Sequence, residues 1–388
     1  MKQISAALAV LLLCGCSALQ PPQQKQRPFK FKKLDLVRSD EQGEPIWQLV
    51  SPSTKYQLDQ RRTYLTDPVA TIFKEGKPAY LVSAPNGLVI DDGRQVEVYG
   101  GVKFVVLDDR GIVITADRVF WMPDSELITF EGKPTLVDRK QRVRAGAANF
   151  HTGREQLNAS QGIQLDQWQT VRSSSEQPSL TINTNLLSWN TGTGVVQISQ
   201  AIRGIQRPGP KRQRVFASPS MQGNTKEEWY DFQAPVTISE AAEELTIKAG
   251  LSRWWAGEGR ITSAAPAEGQ LKQLDVKGSS LEILQNQSLL KIGSDCQLTQ
   301  PGDQLTAQRC SWNWDSGAVL AEGDVVLKRD KLKQVTRARR LDGVTGDDGR
   351  ISFSAPGQQV TTQLQLKDGT PSADQGPTQR PSAPPVNF

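Results

Sequence analysis

Apolar and polar residues alternate one by one through most of the chain. Val96, Val98, Val102, Phe104 and Val106 fall on one side of a period-two pattern, with Gln95, Glu97 and Lys103 opposite. Trp47 and Leu49, Tyr56 and Leu58, and Val325 and Leu327 against Asp324 and Lys328 repeat it. Such alternation predicts half-buried β-strands. Gly76-Lys77-Pro78, Asn86-Gly87 and Asp108-Asp109-Arg110-Gly111 punctuate the runs as turns, with Asn86-Gly87 a strong hairpin signal. Beyond the apolar N-terminal segment no long stretch shows the 3.6-residue stripe of an amphipathic helix; only residues 239–245 tolerate one. The pattern predicts an all-β chain.

One phrase recurs within it. Residues 114–138, ITADRVFWMPDSELITFEGKPTLVD, read as strand, polar turn, strand, small turn, strand. Weaker copies start at Val143, Leu180, Leu245 and Leu305. Self-similarity of this kind marks a repeat array, here with uneven spacing. Strands with one apolar face must bury it against each other, which predicts a twisted β-jellyroll or solenoid of short antiparallel strands in two repeat regions. The expected organisation is a signal segment over 1–16, a tether over 17–33, a first jellyroll over 34–205 and a Pro-rich basic insertion and linker over 206–240. A second repeat region over 241–366 and a disordered tail over 367–388 follow, the tail rich in Pro, Gly, Ser and Gln.

Composition narrows the function. In 388 residues, 46 Lys and Arg stand against 41 Asp and Glu, with the signs interleaved. That is a solvated surface, without the clustered basic charge of a nucleic-acid footprint. The N-terminus carries Lys2, an apolar run from Ala6 to Leu13, and Leu13-Cys14-Gly15-Cys16. The run is far short of the ~20 residues of a membrane-spanning helix. The quartet resembles the lipobox of bacterial lipoproteins, with Cys16 as the acylated residue. An exported chain permits a disulfide. A hairpin looping at Gly302, Asp303 and Gln304 would face Pro301 with Leu305 and bring Cys296 opposite Cys310, a candidate bridge.

Catalytic chemistry is hard to place. His151 is the single histidine, with no partner constellation. No GxSxG, phosphate-binding loop, HExxH or paired-cysteine motif occurs. Asp117, Asp124 and Glu126 read as solvated turn residues. The expectation is no catalytic residue, no metal and no cofactor.

The order of motifs carries a resemblance. An anchored N-terminus, LxL followed by DxxGxPxWxL, then Tyr56, APNG, and VEVYGGVKFVVLDDRGIVITADRVFW resemble LptC, the membrane-anchored periplasmic component of the lipopolysaccharide-export transporter. The clearest likeness covers about Leu34 to Asp166; the length with two repeat regions resembles the cyanobacterial form, with LptA/OstA-like repeats. The resemblance implies a jellyroll whose apolar groove receives lipopolysaccharide from an inner-membrane ABC transporter. It implies strand addition to an LptA-like or LptD-like bridge protein, and a periplasmic protein lipid-anchored to a membrane, the inner one by family likeness. The chain departs from the enterobacterial form in having a lipobox for a transmembrane helix, and a second repeat region.

Candidates for the groove lining are Val98, Val102, Phe104, Val106, Val119 and Phe130. The alternation is equally compatible with their filling a packed core. A structural or adhesive envelope lipoprotein is the alternative function; a β-helix polysaccharide enzyme would need clustered Asp and Arg on one strand face, which the sequence does not present.

Overall fold

The computed structural model describes residues 28–172, 175–209, 212–344 and 350–365. Within them every regular element is a β-strand or a single 3-10 turn, and all 36 strands join one antiparallel hydrogen-bonded network. The all-β expectation holds. Cys16, most of the expected tether and the expected tail lie outside the described residues. The described end of the tether is not free: Phe29–Phe31 pairs with Ser53–Gln57.

The pairings resolve the network into two walls. The chain makes a hairpin in one wall, crosses, makes a hairpin in the other, and crosses back. In the first wall Ser53–Gln57 pairs with Arg62–Thr66, which pairs with Asn86–Ile90. In the second, Pro45–Ser51 pairs with Val69–Lys74, which pairs with Lys77–Ser83. This alternation is the structural content of the repeat. Many first-wall hairpins close on a tight turn ending in a left-handed residue, as at Leu58–Gln60 with Arg61, Pro123–Ser125 with Glu126 and Gln285–Gln287 with Ser288. Asn86-Gly87 is not such a turn. It begins a strand, and Gly87 is a close-approach site where a Cβ would meet Pro68, Leu65 and the Glu97 carbonyl within 3.0–3.3 Å.

Six long strands run through both walls: Gln95–Val106, Val113–Met122, Gln156–Gln167, Leu180–Asn190, Ala318–Arg329 and Gln334–Val344. Their ladders shift register where the strand passes from wall to wall, at Ala116/Arg118, Ser160/Ile163 and Glu322/Val325. A bulge bends a strand there. Gly100 and Gly101, at φ +92° and +100°, supply the bend in Gln95–Val106 with backbone angles a side chain would oppose.

Residues 206–240 correct the expected linker. Ile202–Gly209, Arg212–Ser218 and Val236–Glu240 pair in succession in the second wall, while Met221–Asn224 and Trp229–Phe232 extend the first. Pro208 falls at the irregular step of the ladder between Gln206 and Gly209, and Pro219 and Pro235 lie at wall-to-wall corners, positions that need no ladder N–H. The helix-tolerant stretch forms only the turn Ala241–Glu243.

Between the walls the buried apolar side chains form two clusters. One extends from Trp47 to Val236 and the other from Ile292 to Leu341. The walls are not equally filled in the stretch between the two clusters.

Candidate functional site

The six groove candidates lie together inside the first cluster. Val98, Val102, Phe104, Val106, Val119 and Phe130 are all at most 6 % exposed. Phe104 meets Phe130 edge-on at 5.5 Å between ring centroids and Phe150 at 5.6 Å, while Tyr80 stacks on it at 5.5 Å. Phe130 and Phe150 belong to one wall and Tyr80 and Phe104 to the other, so the rings interlock across the interior. Trp47 and Trp121 close the same way at 5.6 Å. The Tyr80 hydroxyl donates to the Thr152 carbonyl at 3.0 Å, and burial raises its pKa above the ordinary tyrosine range. This interior is packed, and none of the six is in the lining of the cavity of about 930 Å³ that lies further along.

The open space lies further along. A cavity of about 930 Å³ separates the walls between Leu180 and Val319. From the strand Trp229–Phe232 to the strand Ala318–Arg329 it crosses roughly six interstrand spacings, about 30 Å. Ile261, Leu281 and Ile283 line it from one wall and Leu245, Ile247 and Val276 from the other, with Trp254 and Trp312 on its flanks. The aliphatic residues named here point inward but are only half-buried; in the strands Leu245–Ala249, Leu274–Gly278 and Leu281–Leu284 the small Ala249 alone is fully buried.

The cause is side-chain reach. Where the core is filled, Phe, Tyr and Trp project from both walls. From Ala256 to Ser311 the chain contains no Phe, Tyr or Trp, and aliphatic side chains do not bridge the gap the walls maintain. A volume near the top of the 300–1,000 Å³ range of ligand pockets, with a predominantly apolar lining, has the character of a lipid or hydrophobic-ligand site. The period-two pattern could not reveal this, because it scores a leucine and a phenylalanine alike. The aromatic-free interval was visible in the sequence and is the signal that finds the site.

Charge is confined to one side of the cavity. Glu240, fully buried, follows Val236 and Ile238 on the inward face of its strand. Arg212 Nε donates to Glu240 Oε1 at 2.6 Å and Arg214 Nε to Oε2 at 2.8 Å. Burial alone would raise the Glu240 carboxyl; the two arginines outweigh it and hold it below the ordinary glutamate value. Lys272, Glu243, Glu244 and Asp315 complete the charged lining, with Lys272, Glu244 and Asp315 exposed to solvent.

Cys296 and Cys310 are joined by a disulfide, with 6.0 Å between their Cα atoms. The hairpin register differs from the expected one. The turn is Pro301-Gly302, so Gln300 faces Asp303 and Cys296 faces Ala307. Cys310 belongs to the other wall, opposite Ile292 and Ala321. The bridge therefore ties one wall to the other, and Cys310 lines the cavity. His151 sits beside a hairpin turn, where its Nδ1 accepts the Arg154 N–H at 3.3 Å.

Both ends of the network present strand edges. Phe29–Phe31 and Leu34–Ser39 each have one strand partner among the described residues, as do Ile351–Ser354 and Thr361–Leu364 at the far end. Phe29, Phe31, Val37 and Leu364 are exposed there.

Residues 4–164 match the family described as lipopolysaccharide-assembly, LptC-related. Over that stretch the chain is LptC-like. Curated proteins yield no match. Among solved structures the chain is similar to LptH, the LptA-homologous periplasmic component of the conserved lipopolysaccharide transport device from Pseudomonas aeruginosa. The identity is 7 % and the TM-score 0.20, over 39 % of this chain and 81 % of that one. No helix among the described residues is long and apolar enough to cross a membrane.

Proposed function

We propose that the protein is a non-catalytic carrier in lipopolysaccharide transport, holding acyl chains between its walls as they pass through the periplasm. The observation that carries the reading is the largely apolar cavity of about 930 Å³ lying between the two walls. The match of residues 4–164 to an LptC-related family supports lipopolysaccharide as the lipid. An acyl chain entering this space exchanges water for half-buried Leu, Ile and Val at about 25 cal/mol per Å² of apolar surface removed from water. No bond is made or broken, so no catalytic group is needed.

The strand edges support the second part of the reading. Unpaired backbone at a sheet edge recruits another strand. The edge at Phe29–Phe31 and Leu34–Ser39 would receive the lipid from an ABC transporter assembly. The edge at Ile351–Ser354 and Thr361–Leu364 would meet an LptA-like or LptD-like bridge protein. Acylation of Cys16 would hold the chain at a membrane, the inner one in this scheme.

Photo-crosslinkers at Ile261, Ile283 and Val276, with Phe104 as the packed-core control, test the reading in living cells. Lipopolysaccharide adducts at the first three and none at Phe104 are expected. Adducts at none of the cavity positions would reject it. Depletion separates it from an envelope scaffold: a carrier's loss makes lipopolysaccharide accumulate at the inner membrane, and a scaffold's loss does not.

A further inference from the structure

The inward-facing charges of the cavity have no role in holding an acyl chain. An R-x-R pair clamping a carboxylate on a neighbouring strand occurs twice in the second wall. At the first place Arg142 and Arg144 hold Asp166, with Arg142 at 2.7 Å and Arg144 at 3.2 Å. There Val143 points into the core, so the clamp lies on the outer face, where Gln164 and Thr181 also donate to Asp166. At the second place the parity is reversed. Phe216, Arg214 and Arg212 share the inward face with Val236 and Ile238, and these five line the cavity; Glu240 lies on the same face of its strand, fully buried beneath the two arginines.

Two guanidinium groups and one carboxylate leave one positive charge (2 − 1 = +1) beside an apolar space. Each arginine engages Glu240 through Nε, and among the described residues no hydrogen bond is made by their terminal nitrogens. Guanidinium groups in this state are suited to a second oxyanion, which they bind through charge-assisted, paired hydrogen bonds. The arginine side chains are 42 % and 19 % exposed, within reach of an incoming ligand, while Glu240 is sealed beneath them. Glu243, Glu244 and Asp315 oppose an anion and Lys272 favours one. Glu244, Asp315 and Lys272 are exposed, where water and salt screen them, and Asp315 is held by the Ser288 hydroxyl.

We propose that Arg212 and Arg214, braced by Glu240, form a head-group subsite for the phosphate or carboxylate of an amphiphile whose acyl chain extends along the cavity towards Cys310 and Val319. The inference rests on the acyl-carrying reading and adds its polarity: the anionic end is anchored at Arg212 and Arg214, and the chain points to the disulfide-tied end. Glu240 acts as a positioning residue, holding both side chains on the inward face.

The test is equilibrium binding to the full chain by displacement of an environment-sensitive fluorescent fatty acid. The competitors are hexadecanoate, hexadecyl phosphate, hexadecanol and inorganic phosphate. Hexadecanoate and hexadecyl phosphate should each compete about tenfold better than hexadecanol, the effect of a charge-assisted pair at a partly exposed site. R212Q/R214Q should abolish that preference while hexadecanol competes as before. R142Q/R144Q, which breaks the same clamp on the outer face, should keep the preference and controls for general damage. Equal competition by hexadecanoate and hexadecanol, with both binding, overturns the head-group subsite and leaves the acyl cavity standing. Displacement by inorganic phosphate as effective as by hexadecyl phosphate overturns the lipid source of the anion. Failure of every amphiphile to bind overturns the carrier reading itself.

Discussion

Replacing Phe104 by alanine measures whether the N-terminal interior is core or conduit. The ring is fully buried and meets Tyr80, Phe130 and Phe150 at 5.5–5.6 Å between centroids. Deleting a buried phenylalanine costs about 3–5 kcal/mol through lost transfer energy and the cavity left behind. Each well-placed aromatic pair adds about 0.5–1.5 kcal/mol, with incomplete additivity. Three rings lose their partner at once, which puts Phe104→Ala near the upper limit, about 4–5 kcal/mol. Ile283→Ala is the comparison. Ile283 is half-buried against open space, so no new cavity forms and only part of its surface is at stake, about 1 kcal/mol. Urea unfolding followed by tryptophan fluorescence, with the slope of the transition checked for constancy, gives both values. If Phe104→Ala cost no more than Ile283→Ala and increased acyl-chain binding, the packed-core assignment would be wrong and the conduit would run through the N-terminal half.

Other consequences are equally open to measurement. Ile283→Trp places a large ring into the open cavity; acyl-chain binding should fall at least about tenfold while the midpoint of urea unfolding changes little, because the usual overpacking cost of about 1–3 kcal/mol applies to filled cores. Reduction of Cys296–Cys310 should add two hydrogens in the mass spectrum and destabilise the C-terminal part by up to about 3 kcal/mol, the chain-entropy value for a loop of this size. Asp166 and Glu240 are held below their ordinary pKa values, Asp166 against its own burial by Arg142, Gln164 and Thr181. Such groups bind protons more readily unfolded than folded, so their stabilisation is complete above the unfolded value and disappears as pH falls through the folded one. Stability should therefore decline below about pH 4, and Asp166→Asn should be less stable than the parent at neutral pH and flatter on the acid side. Asp138, raised by burial, has the opposite sign and offsets part of the slope.

The strands were legible because each needs only an alternating pattern and a turn, and Trp47, Leu49, Val96 and Val98 announce theirs unambiguously. The linker expected at 206–240 was misread because prolines and basic residues signal loops in isolation. In a two-walled array they also sit at irregular ladder steps and at the corners between walls, where no ladder hydrogen bond is lost. The cysteine register differs because the turn is two residues long and the hairpin strand ends at Ala307, so Cys310 falls beyond the corner, on a strand of the other wall. The groove candidates were chosen for perfect alternation, and perfect alternation with large aromatics is what fills an interior. The same pattern with aliphatics alone, from Ile261 to Leu290, leaves it open. Inward volume, read residue by residue, discriminates between the two where hydrophobicity does not.

The placement of the long strands has a mechanical consequence. From Gln95 to Asn190, and again from Ala318 to Val344, strands shared by both walls act as cross-braces that fix the spacing between them. Between those limits no described strand belongs to both walls; the two are linked there by short corners, by side-chain packing such as Phe216 against Phe232, and further on by the disulfide at Cys296 and Cys310. The array thus has a less constrained stretch set between two braced ones, like a bellows held between two plates. The less constrained stretch is also where the cavity lies, so cargo of differing thickness can be taken up by a change in wall spacing alone. The C-terminal braced stretch, with the edge strands Ile351–Ser354 and Thr361–Leu364 paired directly on it, can keep a constant shape for whatever docks there.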